Sequence, residues 1–320
     1  MRETDYAYAV ARIRAHEGRL LTRADLDRLL TAADEAECCR ILADRGYPAQ
    51  DTAAGMLAAE MADAWALLRE LAPELRVFDV LLCRNDYHNA KAAIKGVVAA
   101  ADCARLFLPE GRVAPELIRK AVIARDFSPL PADMRAPAAE ALSTLLETGD
   151  GQRTDMILDT AQLRAMQTFG QESGCAFLAR YAELMTAQAD IKTAVRCARM
   201  QKSAAFMRRA MVDCATLDVP ALIDRAVRGG ADSVPDALEN TPYAAAASAL
   251  RTSMAAFEAW CDDAVTAALA GAKTKPFGPE PLAAYVLGKE TEIKTVRILL
   301  SAKHNGLPES AVHARLRVLY

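Results

Sequence analysis

One short motif occurs three times along the chain, at intervals of about one hundred residues. The copies begin at Asp86, Asp190 and Glu292, which are 104 and 102 residues apart. In each copy the acid is followed by a bulky apolar or aromatic residue, a basic side chain, and then Asn or Thr. Self-similarity at a fixed period is typical of a structural unit that is repeated along the chain. The spacing therefore predicts three related repeats of about 100 residues each, longer than the roughly 20–50 residues of common solenoid repeats.

A second motif precedes each of these acids and predicts the start of a short helix. Two of its copies contain Pro, which is well tolerated in the first turn of a helix, and the first follows Thr22, which with Asp25 is typical of a capping box. We align its copies on Leu26, Leu117 and Leu222, which are 91 and 105 residues apart. Two motifs with the same order and nearly the same period place the repeats at 1–110, 111–212 and 213–320.

The composition favours helices for all three repeats. Alanine, the best intrinsic helix former, accounts for 68 of the 320 residues, whereas Gly and Pro together number only 29. Apolar residues follow helical spacing from the start, as at Tyr6, Val10 and Ile13. No run of alternating β-branched residues persists, so we predict an all-α fold with few or no strands.

Charge and hydropathy exclude several classes of protein. A net charge of −3 argues against a generally basic nucleic-acid-binding protein, and 52% hydrophobic residues argue against disorder. No apolar run approaches the roughly 18 residues of a membrane-spanning helix, and the first residues do not resemble a secretory signal. We expect an intracellular chain whose eight cysteines are reduced, with the adjacent Cys38 and Cys39 contributing to the core.

Motifs that carry chemistry are missing from the sequence. It contains no phosphate-binding G-x-x-x-x-G-K-[ST] loop, no G-x-G-x-x-G, no G-x-S-x-G and no C-x-x-C. Its four histidines do not form H-E-x-x-H or another metal-binding pair. We therefore expect no catalytic residues, cofactor, metal or small-molecule substrate, although an all-α enzyme with a dispersed site stays an alternative.

A basic helical segment follows each repeated acid and is the main candidate for partner contact. Residues 188–209 carry a net charge of +5, while 84–95 and 291–303 each carry +2. Such charges either lie on a solvated face and pair with neighbouring acids, or they dock an acidic partner or anionic lipid headgroups. We leave both interpretations open for 188–209 and favour pairing for the other two. The candidates are Lys192, Arg196, Arg199, Lys202, Arg208, Arg209, His88, Lys91, Lys294 and Arg297.

His88 and Asn89 have a further interpretation of their own. We favour a helix-start element in which these side chains bond to local backbone, over a partner contact or a pH-sensitive group. The second and third copies have Lys192-Thr193 and Lys294-Thr295 at these positions. His88 is therefore not one of three equivalent functional residues.

Taken in order, these motifs resemble the C subunit of the prokaryotic V-type (A-type) rotary ATPase, which is related to the eukaryotic d subunit. The resemblance covers nearly the whole chain, and the order of the motifs carries it, because none is diagnostic alone. The matching stretches are Tyr6–Arg14, Leu20–Leu26, Asp86–Asn89 and, in the tail from Glu292 to Tyr320, Lys303–Pro308 and Arg315–Arg317.

The resemblance implies a funnel of three similar helical domains around a pseudo-threefold axis. It further implies a peripheral protein on the cytoplasmic side of the membrane. Such a protein is a socket that joins the central shaft subunits of the ATPase head to the membrane rotor ring. It passes torque between ATP turnover and ion translocation and has no catalytic chemistry of its own. The alternative is a helical scaffold unrelated to rotary ATPases, and the coupled ion, H⁺ or Na⁺, stays open.

Overall fold

A computed structural model describes residues 3–306 and 316–320 of the chain, and within them the regular structure is helical. The predicted all-α class is confirmed, since the described residues contain no strand, only one isolated β-bridge between Cys214 and Leu217. The tail motifs Lys303–Pro308 and Arg315–Arg317 lie partly outside the described residues, at Leu307, Pro308 and Arg315.

The α-helices of the described chain are numbered in order. They are α1 Ala7–Glu17, α2 Arg23–Thr31, α3 Glu35–Asp44, α4 Ala53–Leu71, α5 Asp79–Val98, α6 Pro115–Ala124, α7 Ala132–Thr148, α8 Gly151–Glu172, α9 Ala176–Arg199, α10 Ala204–Ala210, α11 Val219–Gly229, α12 Ala244–Thr252, α13 Met254–Leu269 and α14 Glu280–His304. Short 3₁₀ helices lie at Glu3–Tyr6, Leu75–Phe78, Ala104–Leu106, Ala231–Ser233, Pro235–Leu238 and Ala270–Thr274.

The second motif begins α2, α6 and α11, as predicted, but its register in α6 was wrong. Leu26 and Leu222 are fully buried and occupy the fourth position of their helices. The fourth position of α6 is Ile118, which is also fully buried, whereas Leu117 is exposed. The capping box at Thr22 is present: the backbone N–H of Asp25 donates to the Thr22 hydroxyl, and that of Thr22 to the Asp25 carboxylate.

The repeated acids lie inside three long helices. His88 and Asn89 lie within α5, so the helix-start element predicted for these two residues is wrong. Asp86 is in the middle of α5, Asp190 is in α9 and Glu292 is in α14. The residue that follows each acid, Tyr87, Ile191 or Ile293, is buried. The three copies therefore share one arrangement, in which a helix buries its acid together with the adjacent apolar side chain.

The described chain divides into two compact units. One unit contains Met1–Leu75 and Thr252–Tyr320, and the other contains Arg76–Arg251. In the first, α14 packs against the core side chains of α2, α3 and α4, such as Leu26, Leu42 and Leu57. In the second, α5 packs with α6, α7 and α8. The division at 1–110, 111–212 and 213–320 stays a prediction about the repeats.

The last described residues pack closely on α14 within the first compact unit. A Cβ at Gly288 would lie only 2.7 Å from Cδ1 and 2.9 Å from Cβ of Tyr320. The Tyr320 hydroxyl donates to the Glu17 carboxylate, and Arg317 pairs with Asp262 at 2.6 Å. Glycine at 288 is therefore what permits the 316–320 segment to lie against this helix.

Replacing Gly288 with Ala is expected to destabilise the protein by about 1–3 kcal/mol, because the added methyl group overpacks the contact with Tyr320. The free energy of unfolding, measured with denaturant, tests this. Gly271→Ala is the matched control, because a Cβ added there would have no other atom within 4 Å. In a Tyr320→Gly background, which removes the ring and also the Cβ of residue 320, the cost of Gly288→Ala should largely disappear. An equal cost in both backgrounds contradicts the proposed contact.

Candidate functional site

Each repeated acid is a buried carboxylate that bonds to the backbone of a segment leading into one of the short helices. We call Asp86, Asp190 and Glu292 the repeat carboxylates. Asp86 Oδ1 accepts hydrogen bonds from the backbone N–H groups of Arg112 at 2.9 Å and Val113 at 3.1 Å, just before α6. These donors lie outside any helix, and a buried backbone N–H requires a partner. The carboxylate supplies that partner.

The other two repeat carboxylates make the same type of contact. Asp190 accepts from the backbone N–H of Val212, at 3.1 and 3.3 Å to its two oxygens, in the segment leading into α11. Glu292 Oε2 accepts from the backbone N–H of Leu21 at 2.5 Å, just before α2. The first acid therefore holds the entry to α6 and the third the entry to α2, whereas the second holds the segment between α10 and α11, seven residues before α11 begins.

The cation that balances each carboxylate differs between the copies. Asp86 pairs with Arg112 at 2.6 Å, and the same guanidinium binds Asp133 at 2.8 Å and lies over the ring of Phe169. Burial alone would lower the pKa of Arg112, but the hydrogen bond to Asp133 and the charge of Asp86 raise it. This copy is a closed network in which every charge has a partner.

Glu292 is balanced by a lysine from its own helix. The Lys289 ammonium is 2.6 Å from Glu292 and 2.7 Å from Glu60, and only 1% of its side chain is exposed. The Tyr47 hydroxyl also donates to Glu292 Oε1 at 2.6 Å. Burial lowers the pKa of Lys289, yet the two carboxylates outweigh this and raise it. The lysine is therefore a permanently charged part of the core.

Asp190 is the exception, since no cation among the described residues pairs with it. Burial raises its pKa to about 8, against the lowering effect of the Val212 hydrogen bond, and the neighbouring charge of Asp213 raises it further. The thiol of Cys214 also lies nearby, with a pKa raised to about 12 chiefly by burial. At neutral pH this carboxyl group is therefore protonated, unlike a carboxylate with a paired cation.

His88 and Asn89 bond to the segment that connects α5 with α6, and not to the backbone of their own helix. Asn89 is fully buried and makes two hydrogen bonds with Leu108: its Nδ2 donates to the carbonyl at 2.7 Å, and its Oδ1 accepts from the backbone N–H at 2.8 Å. His88 Nε2 is 2.8 Å from the carbonyl oxygen of Leu106. Together with Asp86, these side chains hold residues 106–113 against α5.

The basic candidates of the first and third copies mostly lie beside acids. Lys91 is 2.5 Å from Asp159, and Lys294 is 2.6 Å from Asp262. Arg297 is exposed and has no ion pair within the described chain. The two lysines are thus already paired within their own compact units.

The basic candidates of the second copy are arranged differently. Arg196, Arg199, Arg208 and Arg209 are exposed, and none has an ion pair or side-chain hydrogen bond among the described residues. Lys202 lies 5.0 Å from the centre of the Phe206 ring and has no acidic partner there either. Lys192 is half-buried in α9. The α9–α10 basic surface is defined by these five residues: Arg196, Arg199, Lys202, Arg208 and Arg209.

The balancing groups Arg112, Lys289 and Tyr47 were not among the sequence candidates. Each occurs in one copy alone, so comparison of the repeats does not reveal them. The sequence offers little that would identify these balancing groups. Lys289 lies three residues before Glu292, a spacing at which side chains on a helix can pair, whereas Arg112 is 26 residues from Asp86. No group of three or more His, Cys, Asp or Glu side chains suited to a metal ion occurs in the described ranges.

Comparison with known proteins identifies the family of this chain. A sequence model of the family described as "ATP synthase (C/AC39) subunit" matches residues 9–315. The chain belongs to this family. Among curated proteins, it is similar to the C subunit of the V-type sodium ATPase of Enterococcus hirae, with 24% identity over 82% of this chain and 81% of the relative. The resemblance drawn from the motifs is thereby confirmed. Over 3–306 and 316–320, this C/AC39 chain has no helix that is long and apolar enough to cross a bilayer.

The unpaired Asp190 predicts a pH-dependent stability for this C/AC39 chain. Between about pH 4 and its folded pKa of about 8, Asp190 is ionised in the unfolded chain but protonated in the folded one, so its contribution to stability falls as the pH rises. Asp190→Asn removes this titration. From about pH 5 to about pH 7.5, wild type should lose up to about 3 kcal/mol relative to the variant, at 1.36 kcal/mol per pH unit.

Denaturant unfolding of both proteins at a series of pH values measures this difference. Asp213→Asn is the control, since this exposed acid is a neighbour of Asp190 but does not bond to Val212. It should change the pH dependence only slightly. Parallel stability curves for wild type and Asp190→Asn contradict a protonated Asp190.

Proposed function

We propose that this C/AC39-family chain is a non-catalytic adaptor in the central stalk of a V-type or A-type rotary ATPase. In that role it is a socket between the central shaft subunits and the membrane rotor ring, on the cytoplasmic side, and it passes torque between ATP turnover and ion translocation. The family match and the similarity to the C subunit of a V-type sodium ATPase support membership of such a complex. The family is the reason to favour this role over an unrelated helical scaffold.

The recurrence of one buried contact in all three copies is the structural observation that supports three related units. Each acid fixes a connecting segment to a long helix, at Arg112–Val113, Val212 and Leu21. In the proposed role, three such units surround a pseudo-threefold axis and form a funnel suited to gripping a shaft.

Torque transmission requires rigid connections between helices, and the repeat carboxylates provide them. Each fixes a connecting segment to a long helix through a buried hydrogen bond, and such bonds are costly to break because the freed groups stay desolvated. The basic candidates are proposed to hold the chain against acidic partner subunits or against the anionic headgroups of the membrane beside them. Attachment that resists torque needs interfaces of more than about 1,000 Å².

Affinity purification of the tagged full chain from gently solubilised membranes, followed by mass spectrometry, tests this proposal. We expect the shaft subunits and the membrane ring subunit to be recovered together with the chain. The same tag on an unrelated helical protein of similar size is the control. Recovery of other proteins without any ATPase subunit rejects the adaptor and favours the general scaffold, while substrate turnover by the purified chain alone favours an enzyme.

A further inference from the structure

Two hydrogen bonds bring the segment that contains α10 back beside α9, and the residues of the α9–α10 basic surface lie on these two elements. The backbone N–H of Lys202 donates to the carbonyl of Cys197 at 2.9 Å, and that of Val212 donates to Asp190. The segment from 202 to 212 therefore runs back alongside residues 190–197 of α9. Arg208 and Arg209 are thus brought beside the last turns of the helix that carries Arg196 and Arg199.

The charges of this surface are available to an external anion. No acidic residue occurs between 191 and 212, and the acid just before this range, Asp190, is buried and protonated. Elsewhere in the described chain, Lys91, Lys95 and Lys294 are paired with acids. The five cations of this surface have no acidic partner among the described residues, and a bound anion offsets the repulsion between their like charges.

The composition of the surface distinguishes between a protein and a lipid as the source of the anion. A stable protein interface has an apolar core that is depleted in charge. Between 188 and 212, Met200 is the one large apolar side chain that is strongly exposed, at 53%. Headgroup attraction needs no apolar core, because it grows with the number of cations near the surface. Four of the five cations are arginines, whose planar forks bind phosphate oxygens in pairs.

We propose that the α9–α10 basic surface binds the phosphates of anionic lipid headgroups. Met200, at the C-terminal end of α9 between Arg199 and Lys202, enters the apolar edge of the headgroup layer. This inference rests on the proposed function for its setting, which brings the chain to the face of a membrane. Headgroups exchange freely in the plane of the bilayer, so this contact permits a rotating part to slide over the lipid.

Sedimentation of the full-length chain with vesicles tests the proposal directly. Neutral phosphatidylcholine vesicles are compared with vesicles that contain about 30% phosphatidylglycerol, at low and at high salt. We expect at least about tenfold stronger binding to the anionic vesicles, weakened by salt. The triple variant Arg196→Gln, Arg199→Gln, Lys202→Gln should lose at least about tenfold in binding, because each cation contributes about fivefold.

A matched variant removes the same charge elsewhere in the second compact unit. Lys120, Arg164 and Arg180 are exposed helical cations without an ion pair in the described chain, and Arg180 lies 16 residues before Arg196 on the same helix. The Lys120→Gln, Arg164→Gln, Arg180→Gln variant should bind anionic vesicles about as well as wild type. Circular dichroism and thermal unfolding of both triple variants establish that each is folded.

The outcomes separate the lipid proposal from the adaptor proposal. Equal binding of wild type to both kinds of vesicle, or equal loss in both triple variants, overturns the lipid proposal. So does a surface variant that fails to recover ATPase subunits from lipid-depleted detergent extracts, because the ligand is then an acidic protein. If wild type recovers those subunits but ignores anionic vesicles, the lipid proposal fails alone; if it binds vesicles but recovers none, the adaptor proposal fails alone.

Discussion

A buried carboxylate bonded to backbone N–H groups is the interaction on which the arrangement of this chain depends. Removing a carboxylate from water is unfavourable unless donors replace the water, and an N–H group outside a helix needs an acceptor just as strongly. Asp86 and Glu292 meet both requirements at once, at Arg112–Val113 and at Leu21. Because the partner is main chain, the connecting segments differ in sequence while the acid recurs.

This explains what the sequence reveals and what it does not. The acids and the apolar residue after each of them are found from the repeat, because every copy needs them. Their counter-ions are not, because Arg112 comes from a connecting segment and Lys289 from the helix itself. The helical class follows from composition, but the placement of His88 and Asn89 at a helix start was wrong. Contacts with residues 106–108 override the local preference of such residues for helix ends.

The net charge of the chain does not show that its basic segments differ in whether their charges are paired. Lys91 of α5 and Lys294 of α14 face Asp159 and Asp262, so the charges of these two lysines are neutralised within the fold. The spacing of Lys and Arg along a helix does not distinguish these segments from the one in α9, since the neighbouring acids come from other helices. Only the folded arrangement shows that the α9–α10 basic surface has no such acids paired with it among the described residues.

The protonated Asp190 adds to the net positive charge around the α9–α10 basic surface. A cation placed beside Asp190 would ionise it and return a negative charge to α9. Without one, the carboxyl group stays neutral below its pKa of about 8, and the charge of 188–209 is then +6 instead of the formal +5. Arg196 and Arg199 also lie in the last turn of α9, where the helix dipole favours positive charge. The second copy thus carries on one surface cations that have no acidic partner among the described residues, whereas Lys91 and Lys294 of the other copies are paired within the fold.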